Sequence, residues 1–170
     1  DFVIEKVPEP FRTLAGLPPF EDEALMANLD SAVVFQDIIF PILDKNCLGC
    51  HNPDKKKGKL LLDTPENILA GGEEGKVLVP GNLAQSSLHG RLILPVTEKK
   101  HMPPKGKKPL DDREINLIGW WISQGADFAV KLADIAVVPE NIKAILTDLA
   151  KPKNPLLALE IDPPDADDLQ

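Results

Sequence analysis

Two cysteines three residues apart, followed at once by a histidine, restrict this chain more than any other feature. The sequence there reads Cys47-Leu48-Gly49-Cys50-His51, and the chain has no other cysteine. This spacing is the signature of covalent haem c attachment. Two thiols so placed reach the two vinyl positions on one porphyrin edge, and the following imidazole points at the iron. The motif predicts one haem c, bound through two thioethers, with His51 as axial ligand.

Two other readings of the motif are open. A Cys-x-x-Cys pair also serves thioredoxin-like redox chemistry, but no alternation of strands and helices surrounds this one. A zinc site built from Cys47, Cys50, His51 and a distant histidine is the second alternative. Adjacent residues such as Cys50 and His51 seldom both reach one tetrahedral ion, which favours haem.

The chain has two methionines, Met26 and Met102, and each is a candidate for the sixth ligand of the iron. Met102 lies in a loop stiffened by flanking prolines, whereas Met26 lies in a segment that reads as a linker. Histidine and methionine ligation raises the haem potential and suits electron transfer. We therefore predict Met102 as the second axial ligand. Core filling by Met102, or ligation by His101 or His89, are the alternatives.

The ligand set predicts an electron carrier rather than an enzyme. An iron with both axial positions filled leaves no site open for a substrate. The alternative is a haem-based peroxidase or small-gas sensor whose distal ligand is labile. A module in which the haem serves only assembly is the third reading.

The pattern of apolar residues is mostly helical. The predicted helical segments run from Asp30 towards Cys47 with a break at Pro41, over Thr64–Ala70, Ala84–Leu94, Asp111–Gln124 and Pro139–Leu149. Short strands over Lys59–Asp63 and Lys76–Pro80, forming a β-hairpin, are a further option. Both ends are proline-rich, and we expect them to be extended. The predicted divisions are a linker, 1–29, a central domain, 30–127, and a helix followed by an acidic linker, 128–170.

Charge is distributed unevenly along the chain. The net charge is −8, yet residues 31–126 carry 13 basic and 11 acidic side chains, so the excess of acid lies in the flanks. An acidic chain without a basic and aromatic platform is a poor nucleic-acid binder. No apolar run is long enough to span a membrane.

Nine of the sixteen lysines fall in two short windows. They are Lys55, Lys56, Lys57 and Lys59 after His51, and Lys99, Lys100, Lys105, Lys107 and Lys108 around Met102. We expect the windows to form one basic face at the haem edge, suited to an acidic redox partner or a neighbouring domain. A merely solvated loop surface is the alternative.

The order of the motifs resembles class I cytochrome c domains of the planctomycete type. The resemblance rests on residues 31–126, with Cys47–His51, Val79-Pro80-Gly81-Asn82, Met102-Pro103-Pro104 and Trp121–Ala126 as its main features. It implies a class I cytochrome c fold, with helices around one haem.

The resemblance also carries expectations for individual residues. It implies that His51 and Met102 ligate the iron and that Arg91 approaches the haem propionates. We further predict that Trp121 contacts the haem, with ordinary core packing as the alternative for Trp120 and Trp121. Such domains occur in multidomain bacterial envelope proteins. We therefore expect the chain to be a periplasmic or otherwise extracytoplasmic segment of a larger protein. We expect that larger protein to be anchored to a membrane.

Overall fold

The computed structural model describes residues 29–151, and this part of the chain is helical. A π-helical segment, Val34–Ile39, precedes five α-helices: α1 (Phe40–Asn46), α2 (Pro65–Ala70), α3 (Ser87–Gly90), α4 (Asp112–Ser123) and α5 (Glu140–Ala150). Two 3₁₀ turns, Lys57–Lys59 and Leu132–Asp134, complete the set. The predictions for Met26 and for the two proline-rich ends fall outside the described residues.

The break predicted at Pro41 is present as a change of helix type. The π-helical segment runs directly into α1, and Pro41 lies in the first turn of α1. Proline has no N–H to donate back to the carbonyl of Asp37, so an α-helical ladder cannot continue through it. Phe35, Ile39 and Leu43 are buried along this length. The π-helical segment and α1 are therefore packed in the core along the length that leads to Cys47.

The helix α4, the longest among the described residues, confirms the helix predicted over residues 111–124. The side chain of Asp111 accepts from the backbone of Glu114 at 2.8 Å, and Glu114 accepts from the backbone of Asp111 at 3.1 Å. This reciprocal capping box satisfies two orphan donors at the start of the helix. All six residues Leu117–Ile122 are buried, and α4 packs against the π-helical segment, α3 and α5.

Two predicted elements differ from the structure. The helix expected over Ala84–Leu94 is reduced to α3, Ser87–Gly90. The hydroxyl of Ser86 is the reason, since it accepts from the N–H of Val79 at 2.9 Å and donates to the carbonyl of Asn82 at 2.8 Å. A side chain that bonds nearby backbone offers an alternative to the helical ladder.

The optional β-hairpin is wrong for the part of the chain that the structure describes, where only isolated bridges occur. The two apolar runs, Lys59–Asp63 and Lys76–Pro80, do not pair with each other as strands. Each makes a backbone hydrogen bond to a different segment instead. Leu62 donates its N–H to the carbonyl of His51 at 3.0 Å, and Leu88 donates to Val77 at 2.8 Å. One run is thereby tied to the Cys-x-x-Cys-His motif and the other to α3.

The chain after α4 returns to its own beginning. Val34 donates to the carbonyl of Val130 at 3.0 Å, and Leu132 donates to Ala32 at 2.9 Å. The helix α5 then buries Ile142 and Leu146 in the same core. Residues 128–150 thus pack on the central domain, while the division of the chain at residue 127 stays a prediction. No helix of residues 29–151 combines the length and apolarity needed to cross a membrane.

Candidate haem-attachment site

The Cys-x-x-Cys-His motif continues the winding of α1 as a series of turns. Cys47 donates to the carbonyl of Leu43 at 2.7 Å, and both Cys50 and His51 donate to the carbonyl of Cys47, at 3.0 and 3.1 Å. Both thiols are free and half-buried. Consecutive turns of this kind gather two thiols and an imidazole at the C-terminal end of one helix.

The thiol of Cys47 is held in its neutral form. Burial raises its pKa to about 11, and the negative charge of Glu114 adds to the effect. The carboxylate of Glu114 also accepts from Lys45 at 3.1 Å and from Asn46 at 3.4 Å. Glu114 therefore joins the start of α4 to the end of α1, one residue before Cys47.

The imidazole of His51 is set up as a neutral base. Burial lowers its pKa, and the charges of Arg91 and Lys57 lower it further, against the opposing effect of backbone carbonyls at Leu60 and Lys57. Its Nδ1 atom is buried and makes no hydrogen bond. A neutral imidazole is the form that ligates a metal.

Met102 is fixed by its backbone. It lies half-buried between two buried residues, His101 and Pro103. Its N–H donates to the carbonyl of Arg91 at 2.9 Å. Since the charge of Arg91 also acts on the ring of His51, Arg91 links the two predicted ligands within one part of the molecule.

The guanidinium of Arg91 has a protein partner. It pairs with Glu74 at 2.6 Å, and Lys100 approaches the same carboxylate at 3.6 Å. Arg91 lowers the pKa of Glu74 by this hydrogen bond and by its charge. Contact of Arg91 with a propionate stays a prediction.

Trp121 lies in an aromatic cluster. Its ring centroid is 5.4 Å from that of Phe35 and 5.3 Å from that of Phe128, and its indole N–H donates to the carbonyl of Asp127 at 3.0 Å. The structure thus gives Trp121 a core role, and its contact with haem remains a prediction. Trp120 is also buried, and its indole N–H has no partner.

His89 lies where α3 packs on α4. A methyl group built on Gly119 would stand 3.1 Å from Nε2 of His89, so the two helices are close here. Burial lowers the pKa of His89. His89 therefore takes part in packing α3 on α4, and ligation of the iron by His89 stays an untested alternative.

The two lysine windows are joined by the turn at residues 71–75. Glu73 donates its N–H to the carbonyl of Gly58 at 2.8 Å, and Glu74 pairs with Arg91 and Lys100. All nine lysines are exposed. Ile93 and Val96, between the windows in the sequence, are 61% and 54% exposed.

Two residues whose contacts connect the segments of the site, Glu114 and Glu74, were not predicted from the sequence. The pattern Asp111-x-x-Glu114 is a recognisable capping box and could have been found, but the link from Glu114 to α1 could not. Glu74 gave no signal, since its partners are 17 and 26 positions further along the chain. Two cavities, of about 240 and 470 Å³, are lined by other residues and do not include Cys47, Cys50, His51 or Met102.

The described residues form a small helical domain with a Cys-x-x-Cys-His motif at the end of α1. Residues 47–106 match the family model described as planctomycete cytochrome C. The match supports a cytochrome c-type domain, and with it haem binding and electron transfer as the general role. No curated protein and no solved structure shows a significant match to the chain.

The residues present fit a covalent haem. The two thiols have no disulfide between them and remain available for thioethers. The buried Nδ1 of His51 has no hydrogen-bond partner in the protein, so the ring keeps a nitrogen that no protein contact uses. These two observations concern separate functional groups, and both meet the requirements of haem c.

Proposed function

We propose that this domain carries electrons through one haem c, bound by thioethers to Cys47 and Cys50, with His51 and Met102 as axial ligands. The proposal rests chiefly on the winding of the motif at the end of α1, which presents both free thiols together with a neutral imidazole. Bound haem supplies an iron that changes between the ferrous and ferric states.

The protein residues perform positioning. Burial keeps the imidazole of His51 unprotonated, so its ring is available without loss of a proton. The hydrogen bond from Met102 to Arg91 restrains the loop that carries the thioether sulfur. A thioether opposite a histidine favours the reduced iron and raises the potential.

Covalent attachment is tested on denatured protein. A pyridine haemochrome spectrum should show the c-type band, with haem retained after denaturation. Replacement of Cys47 and Cys50 together by alanine should release the haem, whereas replacement of His89 by alanine should not. Extractable haem in the unaltered protein would contradict the attachment.

Axial ligation is tested by the optical spectrum of the ferric form. A methionine-to-iron(III) charge-transfer band and a low-spin spectrum are expected, and Met102→Ala should abolish that band. A high-spin ferric spectrum of the unaltered protein would instead indicate a peroxidase or gas sensor.

We further propose that the nine exposed lysines form a docking face for an acidic redox partner, with Ile93 and Val96 as its apolar part. The contact of Glu73 with Gly58, in the first window, and that of Glu74 with Lys100, in the second, support a single face. Positive charge gathered there attracts an acidic protein and speeds encounter, an effect that salt screens.

The local basic face and the net charge of the chain predict opposite effects of ionic strength on the rate of electron transfer. Measuring that effect therefore distinguishes the two. With ferricyanide as an anionic oxidant, a local basic face makes the rate constant fall as ionic strength rises. The net charge of −8 acting alone would make it rise. Glutamates at Lys105, Lys107 and Lys108 should remove the fall. The same change at Lys131, Lys143 and Lys151, outside the windows, is the charge-matched control.

In its cellular setting we propose an extracytoplasmic location, because haem c is attached there, and a place within a larger envelope protein that is membrane-anchored. Detection of the haem-loaded parent protein in the periplasmic or envelope fraction tests this. Haem-loaded protein confined to the cytoplasm would overturn it.

A further inference from the structure

His101, directly before Met102, is a buried histidine with one ring nitrogen unused. Its side chain is 4% exposed. Nδ1 lies 2.8 Å from the carbonyl oxygen of Leu94. Nε2 is also buried, and it has no hydrogen-bond partner.

The carbonyl of Leu94 fixes the tautomer of the ring. A carbonyl oxygen only accepts, so Nδ1 must carry the hydrogen. In the neutral ring, Nε2 is then left with a lone pair. A buried lone pair without a partner is unfavourable, and such groups in a folded protein call for an explanation.

This arrangement is the one found for histidines that bind metals. A ligating imidazole almost always donates its other N–H to a carbonyl or carboxylate, which orients the ring and makes the free nitrogen more basic. In His101 the donor nitrogen and the free nitrogen are both defined by the described contacts. Packing alone would not require an unused nitrogen in the interior.

The position of His101 in the chain makes it relevant to the iron. Its neighbour Met102 is the predicted sixth ligand, so the two side chains share the loop that follows Pro95. Met102 is restrained through the carbonyl of Arg91, whereas the ring of His101 is restrained through Leu94. The backbone of Met102 and the ring of His101 are therefore held by different carbonyl groups, so a movement of the Met102 side chain breaks neither contact.

We propose that His101 is a reserve axial ligand, whose Nε2 takes the sixth position on the iron when Met102 leaves it. The inference rests on the proposed haem attachment. In the exchange the bond between iron and the sulfur of Met102 breaks, and a bond forms from the lone pair of Nε2. No electron is transferred and no proton is released, because Nε2 carries none. Nε2 is enclosed by protein, so the loop shifts during the exchange.

The test uses the haem-loaded ferric protein with Met102→Ala. We expect electron paramagnetic resonance and optical spectra of a low-spin iron with two imidazole ligands, and a midpoint potential below that of the unaltered protein. Combining Met102→Ala with His101→Gln should give a high-spin iron. Glutamine has no nitrogen lone pair for the iron, yet its amide N–H₂ replaces the donor to Leu94. The matched control combines Met102→Ala with His89→Ala and should remain low-spin.

Several results would overturn the inference. A high-spin iron in Met102→Ala means that His101 does not bind. A low-spin iron in the double variant with His101→Gln means that another group, such as a lysine of the loop, binds instead. Loss of low-spin character in His101→Gln alone means that His101 is already the ligand and holds no reserve. Absence of covalent haem from the unaltered protein defeats the proposed function itself, and this inference falls with it.

Discussion

The turn at Gly71 offers a quantitative test of how the two sides of the site are joined. Gly71 has a φ of +80°, and a methyl group built on it would lie 2.3 Å from the carbonyl oxygen of Gly75. The contact is with backbone, which cannot move aside as a flexible side chain would. Glu73 and Glu74 follow after Gly72, and they contact Gly58 and Arg91 respectively. Alanine at this position must therefore distort the connection between the lysine windows.

The magnitude follows from two contributions. A non-glycine residue in a left-handed conformation costs about 1–2 kcal/mol. Overpacking adds about 1–3 kcal/mol. Together they predict that Gly71→Ala lowers the free energy of unfolding by about 2–5 kcal/mol. For a domain of this size that corresponds to a fall in Tm of roughly 5–20 °C.

The assay is thermal unfolding of the haem-loaded protein followed by far-UV circular dichroism, with Gly81→Ala as the matched control. Gly81 has a φ of +74°, and nothing lies within 4 Å of its added methyl group. The control should therefore lose only the conformational part, about 1–2 kcal/mol. Equal losses for the two variants would refute the reasoning, because the close contact would then contribute nothing.

Three further outcomes follow from the contacts. Thr64→Ala removes the N-cap of α2 and should cost about 1 kcal/mol in urea unfolding, whereas Thr64→Ser should retain most of the stability. Glu114→Ala removes half of the capping box and the pairing with Lys45. We expect it to lower the free energy of unfolding by about 1–2 kcal/mol. A double-mutant cycle with Lys45→Ala should show coupling between the two residues. In the haem-free chain, the raised pKa of Cys47, about 11 against 9.0, stabilises the fold below pH 9 and is lost as pH rises to 11. The extra alkaline loss should be about 2–3 kcal/mol and absent from Cys47→Ser, and an unchanged alkaline transition in that variant would argue against a buried thiol.

The helices whose signals are local could be predicted from the sequence. Thr64 followed by Pro65 marks the start of α2, and the acidic pair at Asp111 marks the start of α4. In each case the side chain that caps the helix and the backbone it satisfies lie within three residues. Local chemistry of this kind needs no knowledge of the fold.

The shortening of α3 depends on a contact between residues that are not close in the sequence. Ser86 bonds to Val79, seven residues earlier, and this contact competes with helix formation only once the turn at Pro80 has brought the two together. The residue types of the site were readable from the spacing of the motif. Its links through Arg91, Glu74 and Glu114 depend on tertiary contacts, which one sequence does not display.

The cavity of about 470 Å³ is lined both by Leu29, where the described chain begins, and by Thr147, close to where it ends. The two ends of the described residues are therefore neighbours. The lining of this cavity includes neither His51 nor Met102. A force applied to both ends of the described residues would therefore act first on this cavity and not on the predicted haem ligands.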